Sequence, residues 1–234
     1  MIPPIIVQEA VSSGIHILAV TDHNHTANIE AVQKAARGYD LAILAGMELQ
    51  TAEDIHLLCI FDSVEQARTL QKTVDEELPE ILNNPDYFGA QFIVDETGDF
   101  IRSEERLLLN STSLTLKSAI DHVHALHGLA IPAHVDRQAY GLLPVLGIFP
   151  PDLTYDAIEV YKHSDPSNVT CLSSYPTGIP VIQNGDAHFS NDLLGACYFI
   201  IENPTTEEFR KAFRGEDGRS VSLYRGIDNP RRGS

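Results

Sequence analysis

Four times along this chain a short apolar run rich in β-branched residues ends abruptly on a carboxylate or an imidazole. Ile15-His16-Ile17-Leu18-Ala19-Val20 runs into Thr21-Asp22-His23-Asn24-His25, and Ala42-Ile43-Leu44-Ala45 into Gly46-Met47-Glu48. Ala130-Ile131-Pro132-Ala133 reaches His134, and Pro180-Val181-Ile182 reaches Gly185-Asp186-Ala187-His188. Runs of this length and composition read as buried strands. Strands that each deliver a polar residue at the downstream end describe a βα barrel whose site lies on one face. A length of 234 residues suits such a barrel as one domain.

The intervening segments supply the helices. Pro3 and Pro4 suit a helix N-terminus, so a helix is expected from the start of the chain to about residue 11, ended by Gly14. Further helices are expected over 29–37, 64–82, 114–126 (capped by Ser113 and closed by Gly128) and 207–213. Residues 48–51 and 56–61 are expected to pair as two short strands. Residues 91–94 and 100–102 flank Asp95-Glu96-Thr97-Gly98-Asp99, a hairpin signal, and 83–113 reads as an excursion from the barrel. Strands are expected at 157–161 and 195–201, a loop at 139–153, and a loose tail at 228–234.

Charge and cysteine content narrow the function. Sixteen basic and 33 acidic residues give a net charge of −17, which argues against sequence-independent binding to nucleic acid or anionic membrane. Phosphates can still be handled locally if bound cations supply positive charge. Cys59, Cys171 and Cys197 form no CxxC pair and read as reduced core thiols of a cytoplasmic protein. No apolar stretch reaches membrane-spanning length.

His23, Glu48, His56, His134, Asp186 and His188 form the candidate metal-ligand set, because imidazole with carboxylate suits Zn, Mn or Fe. Alternate residues of an extended segment leave the same side, so Asp186 and His188 can act together. Glu48 is a candidate bridge between two ions. The other histidines are placed differently. His122, His124 and His127 fall at the end of a helix, where solvated or dipole-partner roles fit them, and His16 reads as packed within a strand. His25 is a candidate for touching a ligand or substrate, and equally a loop residue. His163 is an outside candidate.

Thr21-Asp22-His23-Asn24, Gly46-Met47-Glu48, His56-Leu57-Leu58, Pro132-Ala133-His134 and Gly185-Asp186-Ala187-His188 together resemble the successive motifs of the PHP (polymerase and histidinol phosphatase) family. The resemblance implies a distorted seven-stranded βα barrel holding two or three divalent metal ions that hydrolyse phosphoesters. It implies His23, Glu48, His56, His134, Asp186 and His188 as ligands and Asp22 as a group that orients the site. His25 is the second candidate for the catalytic machinery, and Arg137 is implied as a two-pronged contact for substrate phosphate. Family members open on a strand carrying His-x-His, with a further ligand before the first helix. Here Met1 stands where that helix begins, so the first strand is expected to be missing and an open strand edge could support an oligomer. The expected activity is hydrolysis of a phosphate ester (of a nucleotide, sugar phosphate or nucleic-acid end) by metal-bound hydroxide, since no Ser or Cys nucleophile elbow is present. The alternatives are a metal-binding, non-catalytic regulatory or interaction module and, more distantly, a metallohydrolase of C–N bonds.

Overall fold

The structure is a computed structural model, and it describes residues 1–223. The chain opens on α1 (Pro3–Ser12), with Pro3 and Pro4 in its first turn where N–H groups lack partners anyway. Then come β1 (Ile17–Val20), α2 (Ile29–Ala35), β2 (Ala42–Gln50) and β3 (His56–Phe61). α3 (Val64–Glu77) is started by a capping box in which Ser63 accepts from Gln66 N–H and the Gln66 side chain accepts from Ser63 N–H. α4 (Pro85–Phe88) leads to the hairpin β4 (Phe92–Val94) and β5 (Phe100–Ser103). α5 (Leu116–Ala125), β6 (Leu129–Pro132), α6 (Leu142–Leu146), β7 (Ile158–Val160) and α7 (Ser167–Thr170) follow. The described chain closes with β8 (Val181–Gln183), a 3-10 turn at Ser190–Asp192, β9 (Cys197–Ile200), α8 (Thr206–Arg214) and β10 (Ser220–Leu223).

Among the described residues the strands fall into four sheets. The largest has the order β1-β2-β3-β6, and β4-β5, β7-β8 and β9-β10 are pairs. β1 and β2 are parallel, as are β7 and β8. β3 is antiparallel to both β2 and β6, with Glu48 opposite Leu58 and Leu57 opposite Pro132. The fold is therefore mixed α/β, and the strand direction alternates where a regular βα barrel would keep every strand parallel. Side-chain hydrophobicity marks a strand as buried but carries no direction; the reversal of β3 follows from the short link 52–55, which admits only an antiparallel return.

Several expected boundaries shift for local reasons. The second strand and residues 48–51 are one continuous β2. α3 stops at Glu77 instead of running to 82, because Leu78 is extended (φ −83°, ψ 129°) ahead of Pro79. The cap of α5 is Thr115, whose side chain accepts from Ser118 N–H, and not Ser113. The left-handed residue closing α5 is His127 (φ 59°), not Gly128. Gly128 answers a different need: a Cβ there would lie 2.3 Å from the Phe61 ring. The stretch at 139–153 contains α6, and β10 was not anticipated at all. The tail expected at 228–234 lies outside the described residues.

The main core lies between the four-stranded sheet and helices α1, α2, α3 and α5. Met47, Leu49, Leu57, Phe61, Leu70, Ala119 and Val123 are buried in it. A second cluster, Ile60, Leu129, Ile131, Ile182, Phe209 and Phe213, seats α8 on the other side. These cores leave the C-terminal ends of β1 and β6 and the start of β3 at one end of the sheet. His16 is exposed just ahead of β1, not packed within it. Of the cysteines only Cys59 is fully buried; Cys197 is half-buried and Cys171 is exposed, which corrects the reading of all three as core thiols.

Candidate metal centre

β1 and β2 run parallel, so their downstream ends arrive together and His23 forms an isolated parallel bridge with Glu48. Asn24 N–H donates to Glu48 O, and Glu48 N–H to Asp22 O. The β2–β3 turn then brings His56 back beside Glu48, and the antiparallel β6 places His134 next to it. The outcome is a carboxylate faced by three imidazoles. His56 Nδ1 is 2.8 Å and His134 Nε2 3.3 Å from Glu48 Oε1, and His23 Nδ1 is 3.3 Å from Oε2.

The remaining ligating atoms are what a cation would need. Ligand atoms of His23, Glu48 and His56 lie within 4.8 Å of one another. His56 Nε2 and His134 Nδ1 are buried and make no hydrogen bond; His23 Nδ1, also buried, meets Glu48 at 3.3 Å without hydrogen-bond geometry. Leaving a buried nitrogen unpaired costs about 1–3 kcal/mol. The residues fit a divalent ion on this ground alone. His188 joins the edge of the group, its ring centroid 5.8 Å from that of His23. Asp186 lies beside it and pairs with Arg137, Nη1 to Oδ2 3.0 Å. Gly185 holds this loop against Asp192, since a Cβ would come within 2.0 Å of Asp192 O.

The electrostatics follow from this packing. Burial alone would raise the Glu48 carboxyl, but hydrogen bonds from His134 and His56 hold it well below the usual range. Burial lowers His23 and His25 below the ordinary 6.5, against the pull of Glu48 and Glu104. Burial would lower His134 too, yet its contact with Glu48 raises it. Depressed groups contribute stability above their unfolded pKa and lose it as pH falls. The metal-free protein is therefore expected to weaken below about pH 6.5 through His23 and His25, and again below about 4.5 through Glu48. His134 acts in the opposite sense, adding stability on the acid side of neutrality. Urea midpoints from pH 4 to 8 check this; a midpoint that climbs steadily from pH 7 to 4 would contradict it.

A cavity of about 230 Å³ opens over the cluster, lined by His23, Gln50, His56, His188, Arg137, Tyr140, Phe88 and Leu109. Tyr140 stacks on His56 with centroids 4.4 Å apart and planes within 4°. Phe88 and Leu109 come from the excursion, which Asn24 ties down: its buried amide donates to Leu108 O and Asn110 O and accepts from Gln50 N–H. Asn24, His134 and Asp186 all have positive φ, at 49°, 31° and 46°.

Six of the nine sequence-derived site residues thus gather closely: His23, Glu48, His56 and His134 at the centre, with Asp186 and His188 at its edge. Arg137 lines the cavity. Asp22 is exposed, its carboxylate accepting from Asn28 Nδ2. His25 does not line the cavity; its Nδ1 accepts from Ala27 N–H and its Nε2 lies 3.6 Å from Glu104. Tyr140 and Leu109 escaped the sequence reading because loop residues carry no periodicity, Phe88 because it closes a single helical turn, and Gln50 because nothing in the strand pattern sets it apart. Glu159, buried just behind His134, did leave a signal, as an acid within the apolar run 157–161. His122, His127 and His163 are exposed, and His124 pairs with Asp156 away from the site.

Comparison with known proteins agrees with the fold. The sequence profile of the PHP domain matches residues 3–178. No curated protein sequence matches the chain significantly. Among solved structures, the lesion-specific endonuclease PfuEndoQ from Pyrococcus furiosus superposes with a TM-score of 0.72 at 21% identity, over 93% of this chain and 52% of its own. A protein of Bifidobacterium adolescentis assigned as a metal-dependent phosphoesterase gives 0.54 at 17% identity, over 81% of this chain and 83% of its own. The chain therefore spans about half the length of the endonuclease. No described helix is long and apolar enough to cross a membrane.

Proposed function

This chain belongs to the PHP domain family, and from that premise we propose that it is a metal-dependent phosphoesterase acting on a compact phosphate ester. The observation that carries the reading is the gathering of His23, Glu48 and His56, whose ligand atoms lie within 4.8 Å of one another, with buried nitrogens of His23, His56 and His134 left without a hydrogen bond. His23, Glu48, His56 and His134 would hold the first ion, and Asp186 with His188 would extend the site toward a second. Zn, Mn and Fe suit this donor set, and the proposed frame is the distorted barrel of the family. When bound, such an ion supplies Lewis acidity toward a phosphate oxygen and lowers the pKa of water.

The chain's own residues supply the rest. Arg137 keeps guanidinium N–H groups free beyond its contact with Asp186 and would hold a phosphate oxygen. Tyr140 fixes the plane of the His56 ring. Phe88 and Leu109 form an apolar wall of the cavity and would contact the non-phosphate part of the substrate. A cavity of about 230 Å³ suits a nucleotide-sized ester or smaller, and a net charge of −17 disfavours a long polyanion.

The test uses purified protein stripped of metal and then loaded with Mn or Zn. Elemental analysis is expected to find at least one ion per chain, and p-nitrophenyl phosphate or nucleoside monophosphates should turn over only in the loaded form. A loaded protein that hydrolyses none of these would leave the metal site standing and remove the phosphoesterase reading.

A further inference from the structure

Glu159 sits near the end of β7, only 4% exposed. Among the described residues no side-chain nitrogen of Lys, Arg or His pairs with it. Its carboxylate instead accepts from two neutral donors on different segments. His134 N–H donates to Oε2 at 3.0 Å, and Asn184 Nδ2 donates to Oε1 at 2.7 Å. His134 ends the β6 segment and Asn184 immediately precedes Gly185-Asp186. One side chain therefore touches the backbone of a central imidazole and the root of the loop carrying Asp186 and His188.

Its position matters because the strand ladder is interrupted here. β6 belongs to the four-stranded sheet and β7-β8 is a separate pair. The two meet at this end through Val135 N–H to Glu159 O, Tyr161 N–H to Asp136 Oδ1 and His134 N–H to the Glu159 carboxylate, whose second bond, from Asn184, ties β7 to the segment after β8. His134 and Asp186 are the residues held with positive φ on the two sides of that gap. A conformation outside the usual regions persists only where its surroundings hold it.

An isolated anion buried this deeply is costly unless something positive lies near. Among the described residues no cationic side chain touches it, and its two ties are to neutral donors. We propose that Glu159 is a positioning residue of the metal centre: from β7 it holds the His134 backbone on one side and the root of the 184–188 loop on the other, and so sets their working separation. The proposal rests on the metal site inferred above.

A double substitution tests it through metal binding, independently of turnover. Glutamine has one acceptor oxygen, so in Glu159→Gln either His134 N–H or the Asn184 amide faces another donor. Zn affinity of the full chain by isothermal titration is expected to fall about 10–100-fold. Adding Asn184→Asp reverses the polarity of that contact: the introduced glutamine donates its amide to the introduced aspartate, its oxygen accepts from His134, and the net charge is restored. The double variant is expected to return to within about threefold of the parent, with the Co(II) absorption spectrum of the parent as well. A purely structural role would lower the melting temperature without this pattern in affinity. Should Glu159→Gln fail to fold, Asn184→Ala removes only the second tie and is expected to weaken Zn binding in the same direction. An unchanged affinity in the folded single variant, or a double variant no better than the single, overturns the proposal. A parent protein that binds no Zn overturns instead the metal reading beneath it.

Discussion

Replacing Glu48 with alanine is expected to abolish metal binding and lower phosphoesterase turnover at least about 10²–10³-fold, the size of effect seen when a major electrostatic contributor is removed. Glu48 is the shared neighbour of His23, His56 and His134, at 2.8 to 3.3 Å. Without it the three imidazoles lose their acceptor, and any ion loses the anion that offsets its charge. The metal-free variant should also be less stable by a few kcal/mol, since buried donors left unpaired cost about 1–3 kcal/mol each. Glu48→Gln separates the effects, because it keeps the volume and one acceptor oxygen while removing the charge. It should stay close to the parent in urea and still fail to take up Zn or Mn by elemental analysis after dialysis. Full metal content in Glu48→Ala would show that the ion sits elsewhere.

Phe61→Ala is expected to cost about 3–5 kcal/mol, the usual range for deleting a buried aromatic ring. Phe61 is fully buried at the far end of β3, opposite Ala45 and packed on Gly128. β3 is hydrogen-bonded on both sides, so the cavity opens inside the central layer, where relaxation is limited. His56 lies at the other end of the same strand, roughly 17 Å away at the usual rise per residue. Urea unfolding should therefore show a much lower midpoint, while Zn affinity of the folded protein stays near that of the parent. A loss below about 1 kcal/mol would mean that the core collapses around the gap.

The two experiments probe parts of the molecule that differ in how legible they were. Strand ends were legible because a β-branched apolar run that breaks on His, Asp or Glu marks the point where a buried strand meets solvent or a ligand, and this located His23, Glu48, His134 and Asp186. The β4-β5 hairpin was legible from its Asp95–Asp99 turn. Strand direction was legible only through the short link 52–55, too short for a parallel crossover; Leu57 to Phe61 themselves look the same running either way. The apolar wall was not, because Phe88 ends a single helical turn and Leu109 stands in an irregular segment. The spacing of Ala67, Leu70, Val74 and Leu78 carried the expected helix on to 82, past the stop that Pro79 imposes. Glu159 shows a different failure: its oddity was visible, but its partners, Asn184 and the His134 backbone, are 25 residues away in either direction.

Where the chain turns from strand into site it passes through the left-handed region at Asn24, His134 and Asp186. Most side chains pay about 1–2 kcal/mol to stand there, and β-branched ones do worst. The residues that enter it with least resistance, apart from glycine, are Asn, Asp and His, the same short polar groups that bind cations and accept hydrogen bonds. Random substitution at these three positions is thus filtered first by conformation and only afterwards by chemistry. A lineage that no longer selected for catalysis would still retain donor-bearing residues there for a long time, because the backbone discourages most of the alternatives.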